Sequence, residues 1–141
     1  MRIIGIDPGT GILGFGVIDV IKGKPSVMVD AGVVTTPAHT PLTARLVDIY
    51  DSLTEIIRET KPDVMSIEKL FFARNITTAM SVSHARGVAM LAGAKANLPV
   101  FEYTPLQIKQ TLTGYGRADK KQIQAMVRIH LNLKTVPKPD D

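Results

Sequence analysis

Asp7 and Glu68 are the residues of this 141-residue sequence best placed to do chemistry. Asp7 ends the apolar run Ile3-Ile4-Gly5-Ile6 and is followed by Pro8-Gly9-Thr10-Gly11, which turns the chain back. Strand alternation sets Ile3, Gly5 and Asp7 on one face and Ile4 and Ile6 on the other. Desolvating an unpaired carboxylate is costly, so an acid ending a buried strand is either satisfied or used. An Asp before Pro-Gly also opens tight turns, and Asp7 taken alone fits both roles. Glu68 separates them. It closes a second short apolar run, Asp63 to Glu68, in which Val64, Ser66 and Glu68 share a face. If that strand lies parallel to the first, both acids emerge at equivalent carboxyl ends, over the small residues Gly5 and Ser66. That edge is where open α/β sheets place their ligands.

A third acidic position is Asp140-Asp141, which follows Pro137-Lys138-Pro139 and reads as the start of a further helix. Carboxylates from three distant parts of a chain suit a hard divalent cation. Mg²⁺ prefers oxygen ligands and is often held by few carboxylates plus substrate phosphate. Two such ions, roughly 3.5–4 Å apart, stabilise both the attacking and the leaving oxygen of a phosphodiester displacement. The charge distribution points the same way. From Met1 to Tyr103 ten Lys/Arg balance ten Asp/Glu, whereas Thr104 to Lys138 holds seven Lys/Arg against Asp119 alone. A basic face beside an acidic site is the electrostatic footprint of a phosphate-backbone binder. A glycosidase-type acid pair would leave that basic side unexplained. His39, His84 and His130 are too scattered in sequence to read as one metal site.

The elements that must position these groups follow from periodicity. Leu13 to Val20 reads as a second strand, with Gly14 and Gly16 leaving room above the sheet, and Val27 to Thr36 as a third. Together with the first strand they make an antiparallel meander. Thr40 as N-cap and Pro41 as first residue open a helix. Its stripe is Leu42, Leu46, Ile49, Leu53, Ile56 and Ile57, ending at Thr60, and it reads as scaffold without chemistry. Phe71 and Phe72 lie in the connection after Glu68, where aromatics cap a core or stack on unpaired bases. Ile76 to Asn97 reads as a long helix rich in small residues, suited to packing on the sheet or on a second copy. Pro99 to Tyr103 is a fifth strand. Thr104-Pro105 opens a short helix broken by Gly114-Tyr115-Gly116. Ala118 to Leu131 is a last amphipathic helix, with Ile123, Met126, Val127 and Leu131 inward. Lys120 and Lys121 sit in its first turn, against the helix dipole, where a phosphate partner would give them a reason.

With no cysteine the chain has no disulfide framework, which suits a reducing compartment. No signal-peptide pattern opens it and no run approaches a membrane span. The expected setting is soluble and cytoplasmic, and the length suits one domain, 1–141.

The segments GIDPGTGILGFGV, SIEKLFFARN, HARGVAMLA, PVFEYTPLQIKQTLTGYGRADKKQIQ and PKPDD, taken in order, resemble the RuvC family of Holliday-junction resolvases over essentially the whole length. The resemblance implies an α/β, RNase H-like fold: a mixed five-stranded sheet, antiparallel meander plus parallel strands, flanked by helices, acting as a homodimer. It implies that Asp7 and Glu68 are the first two metal-binding catalytic acids. Asp141 best matches the third, with Asp140 the alternative. The family's fourth acid and its helix are missing, so the native protein is expected to continue. Phe71 matches the family aromatic that stacks at the opened junction centre, and Lys109 and Lys120 match basic residues near the cut. Lys121, Arg74 and Arg117 complete the candidate DNA-binding set. The implied cofactor is Mg²⁺, two ions per site, with Mn²⁺ as an alternative. The implied partners are four-way junction DNA, a second copy and the RuvA–RuvB branch-migration complex, with no membrane. The implied activity is symmetric paired nicking in homologous recombination and DNA repair. Rival readings are a non-catalytic junction-binding fragment, half of an actin-like ATPase, whose phosphate loop also reads Asp-x-Gly-Thr, and an RNase H-like nuclease acting on RNA.

Overall fold

The computed structural model describes residues 1–69 and 76–137. Three strands, β1 (Arg2–Asp7), β2 (Ile12–Asp19) and β3 (Val27–Thr35), form the expected antiparallel meander. Helix α1 (Leu42–Thr60) returns the chain so that β4 (Val64–Glu68) pairs parallel with β1. Helix α2 (Ile76–Lys95) does the same for β5 (Val100–Tyr103), parallel to β4. The sheet order is β3-β2-β1-β4-β5. The chain then ends in α3 (Pro105–Thr113) and α4 (Lys120–His130).

The alternation read from the sequence sorts the faces. Ile4, Ile6, Leu13, Val17, Met65 and Ile67 turn to one side and are buried there with Ile49, Leu53 and Ile57 of α1 and Ala85, Ala89 and Ala92 of α2. Burying each large aliphatic side chain stabilises the fold by about 1.5–3 kcal/mol, so this layer dominates stability. The small residues of α2 are what let it approach. A Cβ placed on Gly93 would stand 2.8 Å from Met65 Sδ. The rest of α2 is two-sided: Met80, Ser83, Gly87, Leu91 and Ala94 are all exposed.

The opposite face carries Ile3, Gly5, Gly14, Gly16, Val64 and Ser66. Together with α3 and α4 it lines a groove of about 1090 Å³ that reaches Asp7 and Glu68. The room above Gly14 and Gly16 is this groove. Val127 and Leu131 border it, but no residue of α3 or α4 is fully buried, and Ile123 and Met126 are half-buried rather than core.

Two helix starts differ from expectation. Thr40 does not cap α1: Pro41 occupies the N-cap position, the helix begins at Leu42, and the Thr40 hydroxyl donates to Pro37 O at 2.7 Å. A proline one position early supplies no side-chain acceptor, so the start is left to the backbone. The last helix begins at Lys120 rather than Ala118, because Asp119 is its N-cap in a reciprocal capping box with Gln122. Thr104 caps α3 as expected, also with a capping box, to Gln107.

Candidate active site

The pairing of β1 with β4 in register Gly5↔Ser66 and Ile6↔Ile67 carries Asp7 and Glu68 to the same edge. Small neighbours keep the space open: Gly14 lies opposite Asp7 on β2, where a Cβ would meet Asp7 Cβ at 3.6 Å. The turn behind Asp7 is sterically committed. A Cβ on Gly9 would stand 2.2 Å from the carbonyl oxygen of Ile12, so the backbone could not pass with any larger residue.

The carboxyls of Asp7 and Glu68 stand close enough to shift each other's titration. Burial pushes both carboxyls above their ordinary range. For Glu68 the negative charge of Asp7 and hydrogen bonding between the two add to that rise, while Lys109 opposes it. For Asp7 that hydrogen bonding and the charge of Lys120 oppose it. Asp7 keeps part of its surface in solvent, so the rise reflects the protein packed behind the carboxyl rather than full enclosure. Two crowded acids whose pKa values are both raised are a hard-oxygen donor set with excess negative charge. A divalent cation fits that set, because it relieves the repulsion. Among the described residues no third acid or histidine joins them.

The site therefore unites four of the residues singled out from sequence: Asp7 and Glu68 from the sheet, Lys109 from α3 and Lys120 from α4. Lys121 and Arg117 are exposed on the same basic segment. Phe71, Arg74, Asp140 and Asp141 lie outside the described residues.

Sequence reasoning missed the groups that hold this edge together. The Thr36 backbone N–H donates to Gly11 O at 3.0 Å, its hydroxyl donates to Thr10 O at 2.5 Å, and Arg45 Nε donates to that hydroxyl at 2.9 Å. The Thr10 hydroxyl is 2.6 Å from that of Ser81 on α2. Arg45 belongs to α1, so the helix read as pure scaffold also braces the turn beside Asp7. Arg86 of α2 donates from Nε to Glu68 O at 3.1 Å and pairs with Glu102 of β5. It also borders a pocket of about 240 Å³ with Asp7, Pro8, Glu68, Lys69, Val82 and Pro105. One signal was available: between the ends of α2, Arg86 is the sole formally charged residue.

The sequence profile of the family described as "Crossover junction endodeoxyribonuclease RuvC" matches residues 3–141. A relative of that description from Desulfitobacterium hafniense is 55% identical over 141 residues, covering 100% of this chain and 85% of the relative. Another, from Thermomicrobium roseum, is 48% identical with the same coverage. Among solved structures, T. thermophilus RuvC in complex with a Holliday junction substrate superposes with a TM-score of 0.92 at 35% identity, over 99% of this chain and 84% of that one. The yeast mitochondrial Holliday junction resolvase shares the fold at a TM-score of 0.66 and 13% identity, over 90% of this chain and 60% of that one. The family match sets this chain with the resolvases rather than with the actin-like ATPases.

Proposed function

Because the chain belongs to the RuvC family of crossover junction endodeoxyribonucleases, we propose that it resolves four-way DNA junctions by hydrolysing one phosphodiester on each of two opposed strands, with Asp7 and Glu68 as its metal-holding acids. The observation that carries the site assignment is the pair itself: two crowded carboxyls on adjacent parallel strand ends, each raised by burial, with the charges of Lys109 and Lys120 opposing that rise. A bound divalent cation, Mg²⁺ with two ions per site as the preferred reading and Mn²⁺ as its substitute, supplies charge neutralisation at the phosphate and an activated water.

The chain's own residues supply the rest. Asp7 and Glu68 fix where the cation sits, and Asp141, or Asp140, adds a third ligand from the far end. Lys109 and Lys120 hold the phosphates flanking the reacting one, with Arg117 and Lys121 extending the basic track. Phe71 stacks on bases at the opened junction centre, and Arg74 contacts the backbone beside it. Symmetric nicking needs two such sites. The stripe Met80, Ser83, Gly87, Leu91 and Ala94, exposed at helical spacing along α2, is the face best suited to meet a second copy. The RuvA–RuvB complex is its partner by family, and the cytoplasm its setting. Among the described residues no helix is long and apolar enough to cross a membrane.

The test is cleavage of a synthetic four-way junction with and without Mg²⁺, beside linear duplex DNA and RNA of the same sequence. Paired nicks confined to the junction and to the metal-containing reactions are expected. Binding without cutting would favour the non-catalytic reading, and equal cutting of RNA would favour a general nuclease of this fold.

A further inference from the structure

We propose that Arg86 is a positioning residue for Glu68, and that it does so by tying the strand end that carries the acid to the strand that launches Lys109. The inference rests on the assignment of Glu68 to the active site.

Glu68 is the last residue of β4, where the ladder to its neighbours stops. On the β1 side the pairing ends at Ile6↔Ile67, so Glu68 has no partner there. On the β5 side Glu68 is opposite Tyr103, and the Lys69 N–H donates to Tyr103 O at 2.8 Å. Among the described residues, an acid expected to hold a cation at a fixed place thus sits on a strand terminus whose pairing register continues only on the edge-strand side. Terminal backbone held by few bonds is where local opening is cheapest.

Arg86 fills that gap from a third element. Its Nε donates to the carbonyl oxygen of Glu68 at 3.1 Å, and the other arm of its guanidinium pairs with the Glu102 carboxylate. The guanidinium is rigid and planar, so the two contacts fix the Glu68 backbone relative to β5. The Arg86 side chain is only 18% exposed and its Glu102 partner 37%, so the pair lies at the rim of the packed protein. Glu102 is two residues before Thr104, the N-cap of α3, and Lys109 is on that helix. Lys109 in turn acts on the Glu68 carboxyl. The acid and the cation that must address one phosphate are therefore referenced to the same guanidinium. A catalytic group displaced by about 1 Å can lose on the order of 10²-fold in rate, so such a reference has functional value.

The experiment uses the full-length protein and the variants Arg86→Ala, Glu102→Gln and their double variant. Single-turnover cleavage of a four-way junction is titrated with Mg²⁺, junction binding is measured in Ca²⁺, and melting temperature is recorded. For Arg86→Ala the expected result is about a tenfold fall in the cleavage rate at saturating Mg²⁺. Its Mg²⁺ midpoint should rise and its junction Kd stay within about twofold. Glu102→Gln should move the same two quantities less, and the double variant should be no worse than Arg86→Ala, because both changes break one link. If Arg86→Ala does not fold, Glu102→Gln, which keeps the guanidinium, decides on the same readouts. A lowered melting temperature with unchanged rate and Mg²⁺ midpoint would overturn the proposal in favour of plain packing. A junction Kd weakened about tenfold or more with the rate intact would overturn it in favour of direct DNA contact. Failure of the wild-type protein to cut the junction would instead strike at the activity itself, which keeps the two conclusions separable.

Discussion

The acids and the cations of this site stand on two very different foundations. Asp7 and Glu68 end strands whose preceding residues, Ile4, Ile6, Met65 and Ile67, are buried against α1 and α2. Lys109 and Lys120 stand on α3 and α4, neither of which contains a fully buried residue. Those helices are held by their capping boxes, by Ala118 between them, and by half-buried contacts bordering the groove. The negative half of the site is set by the core, while the positive half rides on an arm of lower local stability. A nuclease gains from that division. Metal ligands tolerate little displacement, whereas contacts to a branched, deformable DNA backbone must adapt.

The largest effect is expected at the core-set half. Asp7→Asn or Glu68→Gln should lower the cleavage rate by about a thousandfold or more, since several kcal/mol of charge stabilisation go with the cation. Junction binding in Ca²⁺ should be largely kept, because the phosphate-binding side chains stay in place. Rapid Mg²⁺-dependent cutting by either variant, measured in single turnover, would remove both residues from the metal site.

Stability should divide along the same line. Met65→Ala deletes a fully buried side chain that packs on Gly93 and is expected to cost about 2–5 kcal/mol in urea unfolding. Ile129→Ala removes a side chain that is 62% exposed on α4 and should stay within about 0.5 kcal/mol. Equal losses at the two positions would mean that α4 is part of the core after all.

The two halves also differed in how far they could be read in advance. Alternation in β1 and β4 is a local signal with a period of two, so the faces, the parallel pairing and the common edge of Asp7 and Glu68 all followed from residue spacing. The helical arm was legible as helices, but not the cap of its last helix. Asp119, which precedes Lys120 and Lys121, is the N-cap of that helix. With the cap in place, a carboxylate balances the first turn, and Lys120 is free to act on Asp7. The bracing groups were illegible for another reason. Arg86 reaches a carbonyl 18 residues back and a carboxylate 16 residues on, and Thr36 reaches Thr10 across 26 residues. No periodicity links such positions, and only the folded register makes them neighbours. Phe71, Arg74 and Asp141 lie outside the described residues and rest on the sequence and the family resemblance.

The arm-set half gives a smaller and more graded response. Lys120→Ala should slow cleavage or weaken junction binding by about tenfold, on the scale of one lost charge-assisted phosphate contact. It should also make the salt dependence of binding shallower by about one in log-log slope. Because Lys120 is exposed, its loss should hardly move the melting temperature. A large fall in melting temperature would make Lys120 a structural residue and dissolve the contrast drawn above.

The smallest effect runs in the opposite direction. Burial raises the Asp7 carboxyl above its ordinary value of 3.8, and that of Glu68 above 4.5. An acid whose pKa is higher in the folded state than in the unfolded chain binds its proton more tightly when folded. Its ionised form is a burden on the fold, and that burden is present in full above the folded pKa. It is relieved as pH falls through the folded pKa toward the unfolded one, and below that no further change comes from this pair. Metal-free protein should therefore gain stability from this pair on mild acidification, before its other carboxylates begin to protonate and oppose it. Asp7→Asn removes one charge of the pair, so at neutral pH without metal it should melt a few degrees above the wild type, with the gap narrowing near pH 4. Calorimetry in EDTA at both pH values reads this directly. A variant that melted below the wild type at neutral pH would show that the two acids are at ease in each other's company. The core would then be supplying a comfortable site rather than one poised for a cation.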